Sequence, residues 1–251
     1  MNADAQPTLG PLIGAGKVAE VLAYGGRAAK VYRSPGNTLS PFREAMALVV
    51  ARSFGLPVPA IWEVRQFGER WGIVMDRIEG PMLGEAIGDM PEGLPAVLAK
   101  MSELHRCVHA NPGWQLGSLA MRLSTNISAA TGLGPARQRR LHDGLAVMPA
   151  GDRLCHGDFH PWNIVQADGK LILVDWLDAC CGEPAADVCR SYVLMHPHVP
   201  EVAAAYVDAY VTAAGGSRNA VLEWLPFVAA ARIAEDVPGE TDSLMAMVDT
   251  V

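Results

Sequence analysis

The chain has 251 residues, half of them apolar and 19% charged, with a formal net charge of −7. A chain of that length buries roughly three-quarters of its unfolded surface, enough for one large domain or two lobes around a cleft, and the composition excludes a disordered or fibrous protein. The charge is uneven: nine basic against seven acidic residues over 1–81, but twelve acidic against three basic from Asp175 onward, the opposite of what a nucleic-acid surface needs.

Val18 to Tyr24 and Arg27 to Arg33 flank Gly25-Gly26, a two-residue hairpin signal, because glycine supplies the positive φ of tight turns. Ser40-Pro41 reads as a helix start, a capping hydroxyl followed by a proline whose missing N–H costs nothing there. Phe42, Met46, Val49 and Val50 recur at helical spacing to about Phe54, and Gly55-Leu56-Pro57-Val58-Pro59 ends the helix. Ile61 to Phe67 and Trp71 to Met75 form a second hairpin around Gly68-Glu69-Arg70. After Gly80-Pro81 the texture becomes alanine-rich and helical, over 93–110, 117–131, 135–147, 184–195, 199–214 and 219–235. Short strands near Ile164-Val165 and Leu171 to Val174 interrupt it. Residues 236–243 are polar and turn-prone, so the end of the chain is expected to be loosely attached. There is no internal repeat.

The first eight residues lack a basic region followed by an apolar core, so no signal peptide is expected. The apolar run from Ala220 to Ala234 contains Glu223, Pro226 and Arg232 and reads as a core helix, not a membrane span. Cysteines 107, 155, 180, 181 and 189 form no C-x-x-C pair, and their odd number argues against a disulfide framework. A cytoplasmic protein is expected. Its acidic second half would attract a cationic substrate, although a solvated acidic surface has the same composition.

The segment His156-Gly157-Asp158-Phe159-His160-Pro161-Trp162-Asn163-Ile164 carries the chemistry. Asp158 and Asn163 lie five apart on a loop that Pro161 helps to turn. Asp175 follows twelve residues after Asn163, delivered by the apolar strand Leu171-Ile172-Leu173-Val174. Two carboxylates about 5 Å apart repel by roughly 3 kcal/mol at an effective dielectric near 20, which a cation between them or one proton relieves. Asn163 and Asp175 would make a hard, all-oxygen magnesium site, with Asp158 left to orient a nucleophile. This pattern reads as a phosphoryl-transfer centre.

These motifs resemble those of the aminoglycoside phosphotransferase family, the small-molecule branch of the protein-kinase-like fold. Protein kinases write H-R-D-x-x-x-x-N and then D-F-G; this chain writes H-G-D-x-x-x-x-N and then D-W-L. The resemblance implies an α+β, bilobal protein-kinase-like fold: a β-rich lobe with one helix over 1–80, ending in a hinge, and a larger helical lobe over 81–251. Ala28-Ala29-Lys30-Val31-Tyr32 resembles the kinase V-A-I-K strand. Alternation puts Ala28, Lys30 and Tyr32 on one face, with Ala28 leaving room for adenine and Lys30 reaching phosphate. Glu44 matches the family's partner for that lysine. Gly14 and Gly16 resemble the glycine-rich loop, with Ala19 where its third glycine belongs. Ile73 to Gly80 resembles the hinge, where Met75 would border adenine and the backbones of Asp76 and Ile78 would hydrogen-bond its edge.

The resemblance implies ATP or GTP as phosphate donor with Mg²⁺, Asp158 accepting the proton of a small hydroxyl compound, and a structural role for His156. It also implies that Asp187 braces the catalytic loop. Asp178 is either a metal or substrate contact or an exposed acid. Gly157 stands where kinases carry the arginine that grips an activation-loop phosphate, so control by phosphorylation is not expected. Only eight residues separate Asp175 from Pro184, too few for a peptide-seating segment ending in A-P-E. Neither nucleic acid nor membrane is an expected partner.

Two rival readings stand beside this one. A zinc hydrolase would use His156 and His160 with Cys155, Asp158 and Cys180-Cys181, or His105 and His109. Neither pair has the glutamate of H-E-x-x-H, Pro161 interrupts any helix at the first, and His105 beside Leu104 reads as a core histidine. A catalytically inactive nucleotide-binding regulatory protein of the same fold is the other. Such proteins usually lose the acid, the lysine or a metal ligand, and this chain keeps all of them.

Overall fold

The structure, a computed structural model, describes residues 7–85 and 93–249. Most of the N-terminal stretch inspected for a leader lies outside them. The chain divides into two compact units, residues 1–82 with 164–177 and residues 83–163 with 178–251. The fold is α+β, as expected.

The first unit is built on five antiparallel strands: β1 (Leu9–Ala15), β2 (Ala19–Tyr24), β3 (Arg27–Tyr32), β4 (Ile61–Phe67) and β5 (Arg70–Met75). Their order is β1-β2-β3-β5-β4. Both hairpins close where the glycines predict, with φ of 60° at Gly25 and 61° at Gly68. The second turn is one residue tighter than expected, because Arg70 already pairs with Phe67. On one face Ala29 and Val31 pack with Tyr24 and Val74, and on the other Tyr32 packs with Ala19, Ala45 and Ile73. A hairpin of Ile164–Ala167 and Lys170–Leu173 belongs to the same unit. Backbone bonds from Gln166 N–H to Pro81 C=O (2.9 Å) and from Leu173 N–H to Pro57 C=O (2.8 Å) tie it there.

Helix α1 spans Leu39–Ser53 and lies against β4 and β5. Its start differs from expectation. Ser40 is already inside the first turn, Thr38 is the N-cap residue without a side-chain bond, and the Asn37 carboxamide accepts from the Ser40 N–H at 3.2 Å. Its buried face differs in part: Val50 is buried as expected, but the rest of the inward face is Ala45, Ala47, Leu48 and Ala51 around Glu44. Phe42, Met46 and Val49 are more than half exposed. Small residues let the helix approach the sheet closely, which places the acid at position 44 inside.

The second unit is mainly helical: α2 (Leu94–His109), α3 (Leu119–Ala129), α4 (Pro135–Leu145), α5 (Pro184–Met195), α6 (Pro200–Ala214), α7 (Arg218–Leu222), α8 (Leu225–Ile233) and α9 (Thr241–Val248). Five of the six expected helical stretches are single helices. The sixth, 219–235, breaks at Glu223 and Trp224, because Pro226 cannot donate to a continuing ladder and instead sits in the first turn of α8. As far as Asp249, the expectation of a loosely attached chain end is not met. In α9 Leu244, Met247 and Val248 are buried, and Glu240 before it forms a two-bond fork with Arg232 at 2.8 and 2.9 Å. Two three-residue strands absent from the sequence reading, Arg153–Cys155 and Cys180–Gly182, pair antiparallel and bracket residues 156–179.

Candidate active site

In the first unit β3 presents Ala28, Lys30 and Tyr32, all buried, on one face. The Lys30 ammonium lies 2.8 Å from Glu44 Oε1 and 2.8 Å from Asp175 Oδ1. Tyr32 donates its hydroxyl to the other Glu44 oxygen. The Trp176 N–H reaches Glu44 Oε1 at 3.3 Å, which sets Asp175 beside the lysine. Burial pulls the Lys30 pKa down, but the charges of Glu44 and Asp175 outweigh it and hold the ammonium firmly charged. Burial pushes the Glu44 carboxyl up against the pull of Lys30. Glu44 is thus committed to the lysine, while the Asp175 side chain is 39% exposed. Asp175 is left-handed at φ 60°, as Asp168 and Asp236 also are, a conformation uncommon outside glycine but more frequent for Asp than for most residues.

Gly14 lies in β1 opposite Val21, and Gly16 closes the turn with its N–H on Ala19 C=O at 2.9 Å. Neither has positive φ, and an added Cβ would meet nothing closer than 3.8 Å, so the fold itself does not demand glycine at either position. Met75 pairs with Ala28 across β3–β5. The Asp76 side chain accepts from the Ala60 N–H (3.0 Å) and the Trp62 indole (2.8 Å), which fixes the segment after β5. Ile78 borders an open cavity of about 540 Å³ with Arg77, Glu79, Asp168 and Lys170. Neither Lys30 nor Ala28 lines it.

In the second unit the loop after Cys155 is held from below. Asp187, in the first turn of α5 and fully buried, accepts from the N–H groups of His156 (2.7 Å) and Gly157 (2.8 Å). Gly157 is indispensable: its φ is 79°, and a Cβ would lie 2.2 Å from the Asp178 carbonyl oxygen. The His156 ring is buried, and its Nδ1 accepts from the Asp158 N–H at 3.2 Å. Asn163 donates Nδ2 to Asp158 Oδ2 and to the Asp158 carbonyl, both at 2.8 Å. That orientation turns the amide oxygen of Asn163, the atom able to bind a hard cation, away from the acid.

Burial would raise the Asp158 carboxyl, but the His160 imidazole 3.6 Å away, with Arg190 and His156, holds it well below the usual range. So low a carboxylate is a weak base. It can orient a hydroxyl and take its proton only late, when the oxygen has become acidic. Asp178 pairs with Arg122 at 3.6 Å and stays partly exposed. The sequence set His160 beside Asp158 only as a rival zinc ligand, whereas here it flanks the acid. Sequence reasoning missed Arg190, whose guanidinium binds the Gly157 carbonyl (3.2 Å) and Glu235 (2.7 Å). Among the described residues the group of histidines and acids close enough to share a metal is His105, His109 and Asp187, not His156 with His160.

A lysine anchored by a helix glutamate beside a metal-capable aspartate, and a braced loop pairing an acid with a carboxamide, define a phosphotransferase of the kinase-like class. Residues 25–222 match the phosphotransferase enzyme family, APH, and the chain belongs to it. No curated protein sequence matches the chain.

Solved structures of similar fold include the choline kinase LicA from Streptococcus pneumoniae (13% identity, 97% of this chain and 94% of that one, TM-score 0.67). A thermostable mutant of aminoglycoside phosphotransferase APH(4)-Ia, in ternary complex with ADP and hygromycin B, is 16% identical over 96% of this chain and 94% of that one, with TM-score 0.66. The aminoglycoside-3'-phosphotransferase of type VIII is 21% identical over 90% and 93%, with TM-score 0.61. At these identities the likeness is one of fold. Among the described residues no helix is long and apolar enough to cross a membrane.

Proposed function

We propose that this phosphotransferase moves the γ-phosphoryl group of ATP to a hydroxyl of a small molecule. The observation that carries the reading is the buried Lys30 ammonium held between Glu44 and Asp175, 14 and 145 residues away in sequence. A cation fixed in that way is prepared for phosphate oxygens, and the crystallisation of APH(4)-Ia with ADP and hygromycin B supports a nucleotide donor with a hydroxyl-bearing acceptor. The donors fit magnesium: Asn163 presents an amide oxygen, Asp175 a partly exposed carboxylate, and both are hard ligands. Bound there, Mg²⁺ would neutralise phosphate charge.

The chain's own residues do the rest. Lys30 neutralises and orients phosphate, with Glu44 keeping it from collapsing onto other acids. Gly14 and Gly16 bring backbone N–H groups to the phosphates without a side chain between. Ala28 and Met75 flank the adenine, and the main chain of Asp76 and Ile78 reads its edge. Asp158 accepts the hydrogen bond of the acceptor hydroxyl, lines it up with the phosphorus, and takes its proton late. Because positioning and charge supply most of the catalysis, a carboxylate held this low suits the task better than a strong base would.

The acidic balance of the chain from Asp175 onward favours a cationic acceptor. The test is a screen of aminoglycosides, choline and neutral or anionic hydroxyl compounds for magnesium-dependent ATP consumption, with the product identified as a phosphate ester. A cationic acceptor is expected. A neutral or anionic one would retire the charge argument, and hydrolysis equal with every compound would remove the transferase reading.

A further inference from the structure

Below the catalytic loop two helices present matched pairs. On α2, His105 and His109 lie one turn apart; on α6, Tyr206 and Tyr210 do the same. His105 Nδ1 is 2.5 Å from the Tyr206 hydroxyl, and His109 Nδ1 is 2.7 Å from the Tyr210 hydroxyl. The Nε2 atoms converge on one oxygen, Asp187 Oδ2, at 2.9 and 3.1 Å. All five side chains are buried.

The protons in this cluster can be assigned. Asp187 accepts four donors, two of them backbone N–H groups that can only donate. It is therefore ionised, and each imidazole must give it the Nε2 proton. Burial keeps His105 neutral, with its pKa lowered to about 3. A neutral ring with its proton on Nε2 has a bare lone pair on Nδ1, so Tyr206 must donate to His105, and the matched contact of Tyr210 with His109 has the same geometry. Burial raises both phenols, which keep their protons. Every donor and acceptor is then satisfied, so the three groups near enough to hold a metal do not need one. The His105 ring also stacks on Phe159, beside Asp158, with centroids 3.9 Å apart and planes 4° from parallel.

We propose that Tyr206 and Tyr210, acting through His105 and His109, are positioning residues for phosphoryl transfer. Their hydroxyl protons fix both imidazoles as donors to Asp187, and Asp187 fixes the two N–H groups that aim Asp158. The proposal rests on the assignment of Asp158 above. The two arms end on the same oxygen, so each can partly cover for the other.

The test compares Tyr206→Phe, Tyr210→Phe and the double variant for kcat, nucleotide KM and melting temperature, with nitrogen-15 spectra of the histidine rings. Wild type should show both rings neutral with the proton on Nε2. The double variant should lose about tenfold or more in kcat, with nucleotide KM within about twofold, at a temperature where it is fully folded. Each single change should cost less than its share of that loss, because coupled groups are not additive. Unchanged kcat in the double variant would overturn the proposal, as would Nδ1-protonated or cationic rings in wild type, or a stoichiometric metal bound to them. If the double variant does not fold, the wild-type spectrum and the single variants decide. The spectra do not depend on Asp158, so failure of its assignment would leave the ring protonation intact and be recognised as separate.

Discussion

At position 30 an ammonium 5% exposed lies between two carboxylates, each 2.8 Å away. Removing it leaves Glu44 and Asp175 without the cation between them, and phosphate without its partner. Lys30→Ala should therefore lower kcat/KM for the nucleotide about a hundredfold or more while the protein stays folded. Steady-state kinetics at varied ATP will show it, and unchanged nucleotide affinity and turnover would contradict the role given to Lys30. Lys30, Asp158, Asn163 and Asp175 were legible in the sequence because their types and spacings follow from phosphate and metal chemistry. Arg190, Tyr206 and Tyr210 were not. Each works through partners brought from another segment, such as Glu235 for Arg190, and no local spacing announces such a meeting.

Among the elements, hairpins were easiest to read, since Gly25 and Gly68 meet a steric demand visible in one dimension. Helix faces were harder. In α1 Phe42, Met46 and Val49 recur at the right spacing but face outward while Val50 is buried, because alanines permit the closer approach to the sheet and Glu44 is needed inside. The last helix was hidden behind a polar stretch, yet Leu244 is only 2% exposed. Leu244→Ala should cost about 2–4 kcal/mol, and in a chain of this size that lowers the melting temperature by roughly 5–15 °C. A melting temperature unchanged by that substitution would mean that α9 contributes nothing to the fold. The paired strands Arg153–Cys155 and Cys180–Gly182 escaped notice because three residues are too few to show a period.

For the whole molecule, buried titratable groups set how stability depends on pH. His105 has a pKa of about 3 when folded against an ordinary 6.5, so between those values the unfolded chain takes up a proton that the folded one refuses. Acid therefore favours unfolding from about pH 6.5 downward. Burial would raise Asp187, but hydrogen bonds from His105 and His109 hold it far below the usual carboxylate value. Its stabilisation is present above about pH 4 and is lost as pH falls further. Asp158 is lowered too and acts in the same sense, whereas Glu44, pushed up by burial, opposes them. Urea midpoints should be level near neutrality, fall from about pH 6.5, and fall more steeply below about pH 4. Midpoints that stay flat or rise between about pH 7 and 4 would contradict this assignment of protons.

The most direct test is transfer of labelled γ-phosphate to the best acceptor from the screen, measured for wild type and Asp158→Asn alongside ATP affinity in magnesium. The variant should lose transfer about a thousandfold or more while binding ATP within a few-fold of wild type. Undiminished transfer by Asp158→Asn would contradict the account.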